Sequence, residues 1–476
     1  MVFTSLNFFL FFPVVCLLYY ISPIRFRWVV LLVASYFFYI NMSPAYAIIL
    51  AGITLSTFVF TRLMADTDDE KRKQRLKVIN IVIIVAPLLF YKYIAAINNE
   101  VFELLDSMEI RYPLPEIKFL LPIGISFYTF MAVGYTIDVY NEEIEVERNP
   151  GILALFISFF PLVLSGPIER AKNMLPQFNS INKIDYDKIN LGLKLMLWGY
   201  FMKLVVADRI GIYINEVYAH LEDHNGSTLI LTTLLYPFQV YGDLGGYTLI
   251  AIGTARVLGF DVMPNFRRPF FSVSIAEFWR RWHMSLITWI TDYIYTPMSF
   301  ALRKYRRWGI VMALFLAFLI SGIWHGAKVT YVVWGLTQGA FLSVEAMTVQ
   351  QRKAFRERFN LASKAWFIAL CCVIVYLLFA ASQIFGRATT MADSGTVFTK
   401  IATEGGMPYL DVSTLALAAL GIGLLLLSDF RDEFFPGKFE LFENKYFPVR
   451  FLSCLAVFFM IIFLGVSSDA FIYFQF

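Results

Sequence analysis

Gly309-Ile310-Val311-Met312-Ala313-Leu314-Phe315-Leu316-Ala317-Phe318-Leu319-Ile320-Ser321-Gly322-Ile323-Trp324-His325-Gly326 decides the fold class. About 17–25 apolar residues suffice to cross the hydrocarbon core of a bilayer. The apolar stretch runs on to residue 348, too far for one span, so 309–348 must fold back as a hairpin. Backbone polar groups in lipid have to be satisfied within the segment, which makes both arms helices.

Charge marks the ends of that hairpin. Arg303, Lys304, Arg306 and Arg307 precede it, and Arg352, Lys353, Arg356 and Arg358 follow it. Arg25 and Arg27 follow the first apolar segment, and Lys71, Arg72, Lys73, Arg75 and Lys77 precede the fourth. Basic residues favour the cytoplasmic side. That rule puts the N-terminus outside, together with the acidic loop 98–118. In this loop Phe102, Leu105 and Met108 recur at helical spacing, which predicts a short helix on the outer surface.

The rest of the chain has the same character. It is 58% hydrophobic, and only 16% of its residues are charged, against about 25% in soluble domains. Mean hydropathy is +0.63. Apolar segments lie near 5–22, 28–41, 45–63, 78–97, 119–139, 151–166, 190–213, 228–258, 309–348, 364–384, 411–428 and 450–467. They predict an all-α, polytopic integral membrane protein of about eleven spanning helices, with re-entrant or interfacial helices added. The 228–258 stretch reads as one span followed by a re-entrant piece. Met1 to Tyr20 reads as a retained first span, because it lacks a basic n-region and a clear cleavage site. No linker divides the chain, so 1–476 is expected to be one membrane domain, its catalytic core within 120–345.

Net charge is +4. The basic residues sit in short loops, so topology explains them and nucleic acid is not an expected partner. Cys16, Cys371, Cys372 and Cys454 all lie in apolar stretches, which favours plain core or lipid-facing thiols. Phosphate-cradling, serine-elbow and metalloprotease motifs are absent from the sequence.

Intramembrane polar residues are costly and therefore candidates for function. His325 is one. Eighteen residues beyond Arg307, at 1.5 Å each, put it roughly 27 Å along a helix axis, past the midplane. Burial there favours the neutral imidazole that a general base needs. The second candidate is the run Ala276-Glu277-Phe278-Trp279-Arg280-Arg281-Trp282-His283-Met284-Ser285-Leu286. On a helix, Trp279, Trp282 and His283 would share a face. An interfacial helix accounts for the tryptophans and arginines, but not for the histidine. Gln239 and Asp243, four apart in apolar surroundings, would also share a face. Ser165-Gly166-Pro167-Ile168-Glu169-Arg170 ends a span with a helix break. His220 and His224 have the i, i+4 spacing of metal ligands, but beside Glu222 and Asp223 a solvated loop is the simpler reading, and no metal site is expected.

Taken in order, these motifs resemble the membrane-bound O-acyltransferase family, and within it the bacterial polysaccharide O-acetyltransferases. The resemblance covers most of the chain and is strongest from Tyr236 to Phe341. Phe278 through Leu286 followed by Trp289, and Ser321 through Gly326 followed by Trp334-Gly335, carry it. Leu121 through Phe130, Ser165 through Ile168 and Phe471 through Phe476 also fit. Tyr241 through Tyr247 and Pro297 through Arg303 depart from the family pattern, and this leaves the acceptor open.

The resemblance implies an O-acyltransferase with acetyl-coenzyme A as donor substrate and no bound cofactor. His325 would be the general base and His283 the second essential residue, for positioning or for stabilising an oxyanion. Trp279, Arg280, Arg281, Trp282, Trp324, Gln239 and Asp243 are candidate substrate- or donor-binding residues, with the two arginines suited to donor phosphates. The expected acceptor is a polysaccharide or an acetyl-carrying protein outside the cytoplasm, and the expected location the bacterial plasma (inner) membrane. D-alanyl transfer from a carrier protein to teichoic acid is a close alternative. A proton-coupled transporter or flippase, which would show inverted repeats, and a scaffold indifferent to His325→Ala are alternatives of other classes.

Overall fold

A computed structural model describes residues 1–42, 44–108, 110, 122–180 and 183–467. Among them every regular element is helical. In chain order these are α1 (Leu6–Ile21), α2 (Arg27–Ile40), α3 (Pro44–Ala65), α4 (Glu70–Leu89), α5 (Ala95–Ser107), α6 (Ile125–Tyr140), α7 (Pro150–Ser158), α8 (Ala171–Phe178), α9 (Tyr186–Tyr200), α10 (Asp208–Ala219) and α11 (Gly226–Val240). They continue with α12 (Gly246–Val257), α13 (Ile275–Arg281), α14 (Met284–Ile290), α15 (Thr296–Ala301), α16 (Arg307–His325), α17 (Val329–Met347), α18 (Val349–Arg358), α19 (Ala365–Arg387), α20 (Met391–Thr403), α21 (Val412–Phe434) and α22 (Phe447–Leu464).

Seven of the described helical stretches are long and apolar enough to cross a membrane, or eight if α17 and α18, bent by 57°, count as one. The protein is thus all-α, polytopic and membrane-bound. Four of the other apolar segments form helices shorter than a full span: 16 residues in α1, 14 in α2, 16 in α6 and 9 in α7. Helix α7 stops at Ser158 although the apolar run continues to residue 166. Pro161 explains the stop, since the residue before a proline is pushed out of the α region. Helix α5 covers Phe102 and Leu105 of the expected surface helix. Residues 111–121, including Leu121, and 468–476, including Phe471 through Phe476, lie outside the described residues.

The 228–258 stretch has no break. A π-helical segment, Tyr241–Gly245, joins α11 to α12, where the sequence suggested a span and a re-entrant piece. Further π segments occur at Phe90–Ile94, Phe201–Ala207 and Thr291–Tyr295. Such bulges are single-turn insertions within α-helices, and the continuous apolar runs around them gave no sign of them.

The contacts group into two compact units. One comprises 1–196 and 247–263. Its interior is aromatic, with Phe8 packed edge-on to Phe38 and Phe11 to Phe160. A buried polar chain links three of its helices: the Ser56 hydroxyl donates to Asn80 Oδ1 at 2.7 Å, and Asn80 Nδ2 donates to Thr136 at 2.9 Å. Buried Glu169 accepts from the backbone N–H groups of Met263 and Arg170 and from Asn173 Nδ2, tying the Ser165–Arg170 turn to the end of the unit.

The other unit comprises 197–246 and 264–476 and holds both candidate histidines. An ion triad is buried within it. Lys203 Nζ lies 2.7 Å from Asp208 Oδ1 and 2.5 Å from Asp243 Oδ1. Lys203 and Asp243 stand on the two π segments Phe201–Ala207 and Tyr241–Gly245. Glycine permits that approach: a Cβ on Gly242 would meet the Met202 carbonyl oxygen at 2.8 Å.

Candidate active site

His325 is the last residue of α16. The chain turns at once and returns as α17, the expected hairpin. Small residues bring the two helices together. A Cβ on Gly335 would stand 2.4 Å from the Phe318 carbonyl oxygen, and one on Gly339 3.2 Å from Phe315 Cα. At the other end of the hairpin Arg307 Nη2 donates to Gln350 at 3.0 Å. Tight packing thus fixes the turn, and with it His325. Its half-buried imidazole lies edge-on to Trp334 with ring centres 4.9 Å apart, and 4.6 Å from the Trp324 ring.

His283 reaches the same region from the opposite end. Glu345 Oε2, near the Arg307 end of the hairpin, accepts the backbone N–H groups of Ile275 and Ala276 at 2.8 and 3.2 Å. It thereby caps the start of α13. One turn on, Trp279 Nε1 donates at 3.3 Å to Gln338, midway along α17. Helix α13 ends at Arg281, and His283 takes a left-handed conformation, φ +46°. After α14 and the π segment Thr291–Tyr295, α15 lies against α16. Leu302 then closes on Gly309, back at the Arg307 end. Residues 275–302 therefore dip along the hairpin and return, with His283 at the tip. The single helical face expected for Trp279, Trp282 and His283 does not form, because α13 ends at Arg281, before Trp282 and His283.

Asn265 holds that break. Its backbone oxygen accepts Met284 N–H at 2.8 Å, and its Oδ1 lies 3.2 Å from His283 Nδ1, 3.1 Å from Ser285 N and 2.9 Å from Ser285 Oγ. Burial lowers the His283 imidazole to about 3, so it is neutral. Sequence reasoning missed Asn265, which sits in a short loop without periodicity. Gln338 was missed too. It is fully buried, and its Nε2 donates to Ser382 Oγ at 2.6 Å.

The two histidines line one cleft. Trp279, Trp282, Leu286, Ser321, Tyr331, Trp334, Phe379 and Gln383 form most of the remaining wall. A largely apolar cleft with a few polar groups is the usual form of a small-molecule site. Of the expected site residues, His283, His325, Trp279 and Trp282 meet here. Trp324 is buried beside His325 but is not part of the wall. Gln239 packs near Gly211, and Asp243 is engaged by Lys203. Arg280 is exposed, whereas Arg281 pairs with Glu277 at 2.6 Å and Glu433 at 2.9 Å. His220, exposed in its loop, stands 3.8 Å from Glu216, while His224 packs on Tyr409.

Comparison with known proteins bears on the chemistry. The chain is 34% identical over 435 residues to the probable alginate O-acetylase AlgI of Pseudomonas putida, covering 90% of this chain and 88% of that one. It is 29% identical to the peptidoglycan O-acetyltransferase of Helicobacter pylori, covering 71% of this chain and 69% of that one. It is 29% identical to the teichoic acid D-alanyltransferase of Bacillus subtilis, covering 53% and 65%. A family model, MBOAT, membrane-bound O-acyltransferase family, matches residues 142–398, a span that contains the whole cleft. The chain belongs to the membrane-bound O-acyltransferase family and is an O-acyltransferase.

Proposed function

We propose that this enzyme O-acetylates a cell-surface or exported polysaccharide from the bacterial plasma membrane, drawing acetyl groups from acetyl-coenzyme A in the cytoplasm. The observation that carries this reading is the meeting of His283 and His325 in one cleft, approached from opposite ends of the α16–α17 hairpin. A donor bound at the Arg307 end and an acceptor at the far end would share that cleft. The relatives named as acting on alginate and peptidoglycan supply the acceptor class.

In the transfer, the acceptor hydroxyl oxygen attacks the thioester carbonyl carbon while the His325 imidazole takes its proton. The C–S bond breaks, and the departing thiolate recovers that proton as free coenzyme A. His283 orients the reacting groups within the cleft. The acceptor hydroxyl belongs to the glycan itself or to an acetyl-carrying protein outside the cytoplasm.

Reconstituted protein given acetyl-labelled coenzyme A and polysaccharide, with and without extracytoplasmic extract, tests the reading. The expected result is label on glycan, lost by at least about 100-fold in His325→Ala. Wild-type transfer by that variant would remove His325 as the base. Label moving only from a D-alanyl carrier protein would replace acetyl by D-alanyl transfer.

A further inference from the structure

We infer that Asn265 is a positioning residue whose side-chain oxygen holds His283 as the Nδ1–H tautomer, leaving Nε2 as the nitrogen that bears a lone pair. This rests on the reading that His283 acts in acyl transfer. The orientation of the Asn265 amide follows from Ser285. A backbone N–H can only donate, and that of Ser285 points at Asn265 Oδ1 from 3.1 Å. Turning the amide over would set donor against donor, so this atom is the oxygen. His283 Nδ1 lies 3.2 Å from the same oxygen. Only a protonated Nδ1 is attracted there, since two lone pairs would repel. In a neutral imidazole the other nitrogen is then the acceptor.

The surroundings hold this arrangement in place. Asn265 is 1% exposed and His283 2%. The chain bearing Asn265 grips the turn on both sides, through Met284 N–H to the Asn265 oxygen and Arg267 N–H to the Arg281 oxygen, both 2.8 Å. Those bonds sustain the left-handed backbone of His283, which a histidine rarely adopts unaided. Phe266 stacks on the imidazole with ring centres 6.2 Å apart. The titratable groups that share the cleft with His283 are His325, Tyr236 and Tyr331, and no carboxylate is among the described wall residues.

The consequence is a division of labour. A neutral His283 of this tautomer accepts a hydrogen bond at Nε2 and offers none there. An N–H that meets the oxyanion of the tetrahedral intermediate must come from another group in the cleft.

The protein has four histidines, so nitrogen-15 NMR of histidine-labelled protein in lipid can resolve His283, assigned by the signal lost in His283→Gln. The expected spectrum shows Nδ1 protonated and Nε2 bare in wild type and in Asn265→Asp, with Nε2–H appearing in Asn265→Ala. In transfer assays Asn265→Ala should lose kcat by about 100-fold or more with unchanged donor KM. Asn265→Asp should keep most activity with its low-pH limb moved upward, because a carboxylate beside Nδ1 favours the protonated ring. A wild-type His283 carrying its proton on Nε2 overturns the proposal, as does an Asp variant as inactive as Ala with an unmoved profile. Wild-type turnover by His283→Ala overturns the reading of the site instead. An inactive His283→Ala beside a fully active Asn265→Ala overturns the positioning role alone. If Asn265→Ala fails to fold, the wild-type spectrum and the Asp variant decide.

Discussion

A methyl group on Gly322 would come within 2.4 Å of the Tyr331 carbonyl oxygen. Backbone sits on both sides of that contact, so nothing can rotate away. Gly322→Ala should push α16 from α17, lowering stability by about 1–3 kcal/mol and displacing His325. Gly423→Ala is the control, since beyond its own helix backbone no neighbour comes within 4 Å of the added carbon. Thermal unfolding in detergent, with transfer assays alongside, should show loss in the first and none in the second.

Lys203→Met leaves Asp208 and Asp243 in the core without the ammonium between them. Breaking a buried charge group from one side costs about 3–5 kcal/mol. The triple change Lys203→Met, Asp208→Asn, Asp243→Asn should recover most of it, because no buried charge then lacks its counterpart. Unfolding midpoints of the two proteins, measured together, decide the point.

Arg280 and Arg281 are adjacent but differently engaged. Arg281→Gln removes the cation that bridges Glu277 and Glu433, leaving Glu433 with Arg268, and should destabilise the fold measurably. Arg280→Gln, at an exposed position, should alter stability by less than about 0.5 kcal/mol. If Arg280 meets donor phosphates, its loss raises donor KM and leaves kcat alone. An unchanged KM removes that role.

Arg303 and Lys328 stand at opposite ends of α16, and both are exposed. In a background lacking Cys16, Cys371, Cys372 and Cys454, single cysteines at these positions should react with impermeant reagents from opposite sides. Arg303→Cys should be reached only from the cytoplasm. Labelling of both from one side would end the spanning hairpin, and labelling in the reverse sense would exchange the donor and acceptor sides.

Hydrophobic length made much of this legible in the sequence. The 309–348 hairpin, and the helices over 364–384, 411–428 and 450–467, follow from it because lipid demands helical backbone. His283 and His325 were legible because an ionisable group is costly there. The break at His283 was not, because it depends on Asn265, a residue eighteen positions away whose role appears only when the chain folds back. The partner of Asp243 was hidden for a related reason. The i, i+4 rule pointed to Gln239, but the π segment alters the register and Lys203 comes from another helix.

The dip formed by 275–302 touches segments that are synthesised long after it. Phe278 packs on Phe379 with ring centres 4.3 Å apart, Trp279 bonds to Gln338, and Arg281 pairs with Glu433. When the tip leaves the ribosome, none of these partners exists. Those contacts can form only once the hairpin, then α19 and then α21 have been made. A nascent chain ending after α19 already contains every residue of the cleft wall, the last being Gly386. It still lacks Glu433, the second of the two acids that pair with Arg281. The candidate cleft is therefore complete in sequence before α21 is made, and α21 then adds a clamp on the segment that carries His283.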